Sequence, residues 1–151
     1  MARVDNIIGG KSHASQSGRT MTLYNPATGE PNGEVGMSTA SELDMAVQAA
    51  KAALPAWANL PPLKRAAVMF KFKYLLEQNL DRVADAISAE HGKTHDDALG
   101  EVQRGLEVVD FTCGIPHLLK GEFSRNVGPA IDTYSDRQPL GIVAGITPFN
   151  F

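Results

Sequence analysis

Apolar positions change their spacing twice along the chain, and the changes divide it into three zones. Between Asn6 and Met37 the apolar runs are short and broken by turn residues. Asn6-Ile-Ile-Gly-Gly-Lys11 sets a Gly-Gly pair after two isoleucines, the pattern of a β-hairpin. Thr20 to Leu23 is β-prone. Asn25-Pro-Ala-Thr-Gly29 then reads as a turn, its proline fixing φ and its glycine free to take positive φ.

From Thr39 to Cys113 the apolar spacing becomes helical, and four helices are expected. Thr39-Ala-Ser-Glu42 has capping-box spacing, followed by an inward face of Leu43, Ala46, Val47, Ala50 and Leu54. Pro55 is expected to end or bend this helix near Trp57. Pro61-Pro62 opens a second helix with Leu63, Ala67, Phe70 and Tyr74 as its apolar stripe; Lys64, Arg65, Lys71 and Lys73 are expected in solvent. Asn79 is placed to cap a third, with Leu80, Val83, Ala84 and Ile87 inward and Gly92 as its stop. Thr94-His-Asp-Asp97 starts a fourth, whose stripe is Leu99, Val102, Leu106, Val109 and Cys113 before Gly114 and Pro116 end it.

Strand signals return between Gly121 and Phe151. Asp132-Thr-Tyr-Ser-Asp136 alternates weakly after Gly128-Pro129. Leu140-Gly-Ile-Val-Ala-Gly-Ile146, bounded by Pro139 and Pro148, predicts a strand buried on both faces, as in the first strand of a parallel α/β sheet. Such a strand needs sheet neighbours and covering helices, and only five residues follow it, so the domain is expected to be unfinished.

Composition narrows the class. An apolar fraction of 43% with 21% charged residues is that of a globular chain rather than a disordered one. A net charge of −3 with both signs interspersed points away from nucleic-acid and membrane partners. The N-terminus has no long apolar run, and no stretch approaches the roughly 20 apolar residues of a membrane span. A lone cysteine excludes an intrachain disulfide framework, which makes a reducing, cytoplasmic setting the expectation.

Four segments resemble the aldehyde dehydrogenase superfamily. Leu23-Tyr-Asn-Pro-Ala-Thr-Gly-Glu30 is similar to its N-terminal turn, Ala53-Leu-Pro-Ala-Trp57 to a helix end, and Glu90-His-Gly-Lys-Thr94 to a helix junction. Pro139-Leu-Gly-Ile-Val-Ala-Gly-Ile-Thr-Pro-Phe-Asn-Phe151 resembles the strand and turn that begin the nucleotide-binding domain. Within the superfamily, Asn6–Lys11, the helix Gly100–Asp110 and Cys113-Gly-Ile-Pro116 resemble the CoA-acylating methylmalonate-semialdehyde dehydrogenases.

The resemblance implies an α/β fold, the N-terminal part of an aldehyde-dehydrogenase-like architecture. Residues 1–120 would form a hairpin and helical part, 121–138 strands bridging to a neighbouring subunit, and 139–151 the start of the nucleotide-binding sheet. It implies NAD and CoA as cosubstrates, a semialdehyde substrate and a homodimer or homotetramer. In the family a cysteine thiolate attacks the aldehyde, hydride passes to the nicotinamide, and CoA takes the acyl group. Methylmalonate semialdehyde would give propanoyl-CoA and CO2, and malonate semialdehyde acetyl-CoA. The family's nucleophilic cysteine and its glutamate lie downstream of this chain, so the chain alone is expected to be inactive.

Particular residues take roles by the same resemblance. Asn150 matches the amide donor to the oxyanion, although alone it would read as a turn residue after Pro148. Thr147 and Phe149 match positions lining the NAD site, with turn and core packing as the plainer alternative. No glycine-rich phosphate loop supports that assignment. Arg104 matches an arginine that holds the substrate carboxylate, or else is a surface residue paired with Glu101 or Glu107. Cys113 reads as a buried structural thiol, since a helix C-terminus disfavours a thiolate. His91 and His95 are four apart, but Gly92 and Thr94 interrupt the helix between them, so metal binding is not expected. Two rival functions remain: a hydrolytic aldehyde dehydrogenase and a stand-alone helical interaction module.

Overall fold

The computed structural model describes residues 2–148. Ten of its twelve elements precede the final hairpin. They run β1 (Ala2–Val4), β2 (Asn6–Ile8), β3 (Lys11–His13), β4 (Thr20–Tyr24), β5 (Pro31–Gly36), then α1 (Ala40–Ala58), α2 (Pro62–Glu77), α3 (Leu80–His91), α4 (His95–Cys113) and α5 (Ile115–Leu118). The hairpin of β6 (Phe123–Gly128) and β7 (Ile131–Tyr134) follows. β5 is the centre of a three-stranded mixed sheet, parallel to β1 and antiparallel to β4.

The turns form where the sequence places them. β2 and β3 pair antiparallel with Ile8 opposite Lys11, and Gly9 and Gly10 take φ of 58° and 77° between them. Two positive φ values in a two-residue loop match the right-handed twist of the strands and favour glycine at both places. In the Asn25–Gly29 turn the Gly29 N–H donates to the Asn25 carbonyl at 2.7 Å, and the Asn25 side chain accepts from the Ala27 N–H at 2.9 Å. β1 and β5 have no counterpart in the sequence pattern. Gly33 is buried between strands on both sides.

A carboxylate joins the β region to the first helix. Thr39 and Glu42 form a reciprocal capping box at the start of α1. Glu42 does more than cap: it accepts from the Gln16 N–H at 2.7 Å, the Ser15 hydroxyl at 3.1 Å and the Thr39 N–H at 2.6 Å. These donors, chiefly the Thr39 and Gln16 backbone N–H groups, lower its pKa from 4.5 to about 2. Gly36 lies so close to this knot that a Cβ there would sit 3.0 Å from that of Ser15.

Four helices form at the expected places, with two differences in detail. α1 ends at Ala58, one residue past Trp57, in line with the stop expected after Pro55. A proline removes its own N–H bond but leaves later residues free to donate, and the Asn59 N–H reaches the Pro55 carbonyl at 3.1 Å. Asn79 precedes α3 without capping it; its side-chain amide turns back to donate to the Leu75 carbonyl at 2.7 Å. A short α5 then follows Gly114, with Pro116 in its first turn, where the missing N–H costs little.

The core is the α3–α4 contact. Ala84 and Ala98 are wholly buried, Val102 is buried beside them, and Leu76, Leu80, Val83, Ile87 and Leu99 pack around the three. The spacing predicts Leu80, Val83, Ala84, Ile87, Leu99 and Val102 here, but not Ala98. The α2 stripe differs. Ala66 is buried while Leu63, Phe70 and Tyr74 are 74%, 57% and 59% exposed, so the helix leans on α4 through the neighbouring face. Arg65 and Lys73, expected in solvent, are on that covered face and half-buried. Lys73 donates to Glu77 at 2.6 Å and lies 3.5 Å from Asp110 on α4. The Glu77 hydrogen bond, aided by Asp110, raises its pKa against the cost of desolvation.

Leu140–Ile146 is not a strand. Residues 139–148 carry no regular element, and Leu140, Val143 and Ile146 are 95%, 74% and 99% exposed. A strand buried on both faces needs neighbours for its N–H and C=O groups, and no described strand lies beside this run. Instead, Gly141 to Val143 face Ala50, Ala53, Leu54 and Trp57 of α1 across a shallow groove. The accessible surface totals 11712 Å². A self-contained globule of this mass would expose about 7,500 Å². The difference argues against a free-standing module.

Two outcomes follow for stability. Ala98→Leu forces a larger side chain into the α3–α4 contact and should cost about 1–3 kcal/mol in urea unfolding. Glu42 has a folded-state pKa below its unfolded value, so its contribution is complete above about pH 4.5 and is lost as pH falls through about 2. Glu42→Gln should therefore lower stability at pH 7 and flatten its dependence between those pH values; an unchanged slope would assign the acid sensitivity elsewhere.

Candidate functional site

Arg104 projects from the middle of α4. The buried stripe of that helix fixes its direction, because Val102 and Leu106 turn inward while position 104 faces out. Its side chain is 69% exposed, and Nη1 lies 3.4 Å from Oε2 of Glu107. The other acid in reach along the helix, Glu101, is already engaged. It accepts from Lys93 at 2.9 Å, and the Lys93 side chain is 6% exposed. Of the two partners the spacing allows, the structure selects Glu107.

Thr147 is exposed in the irregular segment after Ile146, and its hydroxyl makes no hydrogen bond among the described residues. No hydrogen bond or ion pair joins it to Arg104. Phe149 and Asn150 lie outside the described residues.

Cys113 is buried at the end of α4, where its thiol donates to the Val109 carbonyl at 3.4 Å. This is the structural position expected for it. Gly92, at φ 83°, closes α3, and Thr94 caps α4, so the two histidines flank a break between helices. His95 turns toward α3, its Nε2 3.4 Å from Asp85 and 3.8 Å from Asp81. Among the described residues no cluster of three or more His, Cys, Asp or Glu side chains is placed to hold a metal ion. None of the described helices is long and apolar enough to cross a membrane.

One feature on the covered side of α2 escapes the sequence pattern. A cavity of about 250 Å³ opens between Trp57, α2 and α5, lined by Arg65, Met69, Ile115 and Leu119 among others. Arg65 Nε is buried without a hydrogen-bond partner among the described residues. Helical spacing points the other way, because Leu63, Phe70 and Tyr74 make the opposite side of α2 the more apolar one.

The profile of the aldehyde dehydrogenase family matches residues 13–151. The chain belongs to the aldehyde dehydrogenase family. It is 52% identical, over all 151 residues, to a malonate-semialdehyde dehydrogenase of Pseudomonas aeruginosa, of which it covers 30%. It is 48% identical over 149 residues to the mitochondrial, acylating methylmalonate-semialdehyde dehydrogenase of Arabidopsis thaliana, covering 99% of this chain and 24% of that protein. The methylmalonate-semialdehyde dehydrogenase of Oceanimonas doudoroffii superposes on the whole chain with a TM-score of 0.94 at 50% identity, and 31% of that chain is covered. A Sinorhizobium meliloti protein assigned the same activity, solved with NAD, gives 0.94 at 52% identity, again with all of this chain and 31% of that one covered. The chain thus has the fold of the N-terminal part of these enzymes and spans about a third of their length or less.

The burial of Cys113 has a direct readout. As the sole thiol, it should react with an aromatic disulfide reagent at least tenfold more slowly in buffer than in denaturant. Equal rates would place it at the surface.

Proposed function

We propose that this chain is the N-terminal part of an NAD-dependent, CoA-acylating dehydrogenase of malonate or methylmalonate semialdehyde. The observation that carries this is identity of about half the residues, along essentially the whole chain, with enzymes named for those two substrates. Both substrates carry a carboxylate beside the reacting aldehyde. A guanidinium recognises that group with two parallel N–H donors, and Arg104 is the exposed arginine proposed for it. Packing of α4 keeps its backbone fixed while the side chain stays free to reach.

NAD, when bound, supplies the hydride acceptor. The chain's own contribution there is Thr147, whose hydroxyl has no hydrogen-bond partner among the described residues and suits the wall of a nucleotide site, with Phe149 two residues on in sequence. Asn150 is proposed to donate its side-chain amide to the oxyanion, a donor useful only if aimed where charge develops. Cys113 is not the nucleophile in this scheme, being buried and bonded to its own helix.

The β6–β7 ribbon is proposed as a bridge to a second subunit in a homodimer or homotetramer. It exposes Phe123, Val127, Ile131 and Tyr134 at 53–81%. A reducing compartment suits the single free thiol, and the cytoplasm is proposed, although the Arabidopsis relative is named as mitochondrial.

Steady-state NADH formation by the intact enzyme from malonate semialdehyde tests the function. Turnover should rise with CoA and yield acetyl-CoA; a CoA-independent rate yielding free acid would favour the hydrolytic alternative. The 151-residue chain alone should form no NADH. Arg104→Gln in the intact enzyme should raise KM for the semialdehyde about 10- to 100-fold, the loss expected for charged hydrogen bonds.

A further inference from the structure

We propose that Glu107 is a specificity-determining residue that competes with the substrate carboxylate for Arg104. The inference rests on the assignment of Arg104 to that carboxylate.

Four positions lie within helical reach of Arg104. Gly100 and Val108, four residues away on either side, offer no acceptor side chain. Glu101 is committed to the nearly buried Lys93 at 2.9 Å. Glu107 is therefore the remaining intrahelical claimant, and it holds Arg104 loosely. The 3.4 Å separation is at the long end of hydrogen bonding, and the two side chains are 69% and 55% exposed.

A loose, solvated pair orients a long arginine without locking it. A semialdehyde carboxylate must displace Glu107 from the guanidinium and then remain near a group of its own charge. Both effects weaken ground-state binding of an anionic aldehyde. Neither acts on an aldehyde without a carboxylate.

The test compares malonate semialdehyde with propanal, an uncharged aldehyde of the same carbon count, in the intact enzyme. Glu107→Gln should lower the KM ratio of malonate semialdehyde to propanal about threefold, within the range measured for exposed ion pairs. The change should fall on KM rather than kcat and shrink at high ionic strength, where exposed charges are screened. Glu107→Ala should act in the same direction. If both Glu107 variants leave the ratio unchanged or raise it while Arg104→Gln also raises it, Glu107 is no competitor and the role of Arg104 stands. A ratio unmoved by Arg104→Gln would overturn the arginine assignment and the proposal together.

Discussion

The close approach of α3 to α4 at Ala84 and Ala98 is the contact from which the rest of the helical layer is built. Two alanines with no exposed surface let the backbones come together, and Val102 fills the space beside them. α2 then has a surface to lean on, through Ala66 and the salt-bridged Lys73, and α5 closes the end of the groove between them. The functional consequence is directional. Once Val102 and Leu106 are committed inward, the helical repeat leaves Arg104 pointing out of the layer.

Around this contact the chain leaves many large apolar side chains exposed, Leu63, Phe70 and Tyr74 among them. Among the described residues no large side chain is fully buried, and whole stripes on α1 and α2 face outward. The Glu42 knot compensates locally with polar contacts, tying the Ser15–Gln16 loop to the start of α1 without a hydrophobic core of its own. Stability is thus divided between one small helix–helix core and one hydrogen-bonded junction.

How much of this was legible depended on how local the cause was. Helix starts at Thr39 and Thr94, the Gly9-Gly10 turn and the stop at Gly92 are set by a few neighbouring residues, and each forms as the sequence indicates. The α3 and α4 stripes were readable because each helix buries its strongest apolar face. The α2 stripe was misread because that helix packs through a mixed face containing Ala66, Arg65 and Lys73, leaving its more apolar side uncovered. β5 was missed because its pairing depends on β1 and β4, not on Pro31-Asn-Gly33 itself. Leu140–Ile146 has a strand's composition without the partners that make one. At the candidate site, the direction of Arg104 followed from periodicity. Its choice of Glu107 did not, because that depends on Lys93 claiming Glu101.

The turn at Pro26 and the helix stop at Gly92 were recognised separately, 66 positions apart, but they touch. A Cβ added at Gly92 would fall 2.9 Å from Pro26 Cγ and would also strain a backbone at φ 83°. The two motifs are therefore mutually constraining halves of one joint between the strand region and the helices. Neither can drift in size without the other, and a bulkier residue at either place would act as a wedge, tilting the strands away from the layer that carries Arg104.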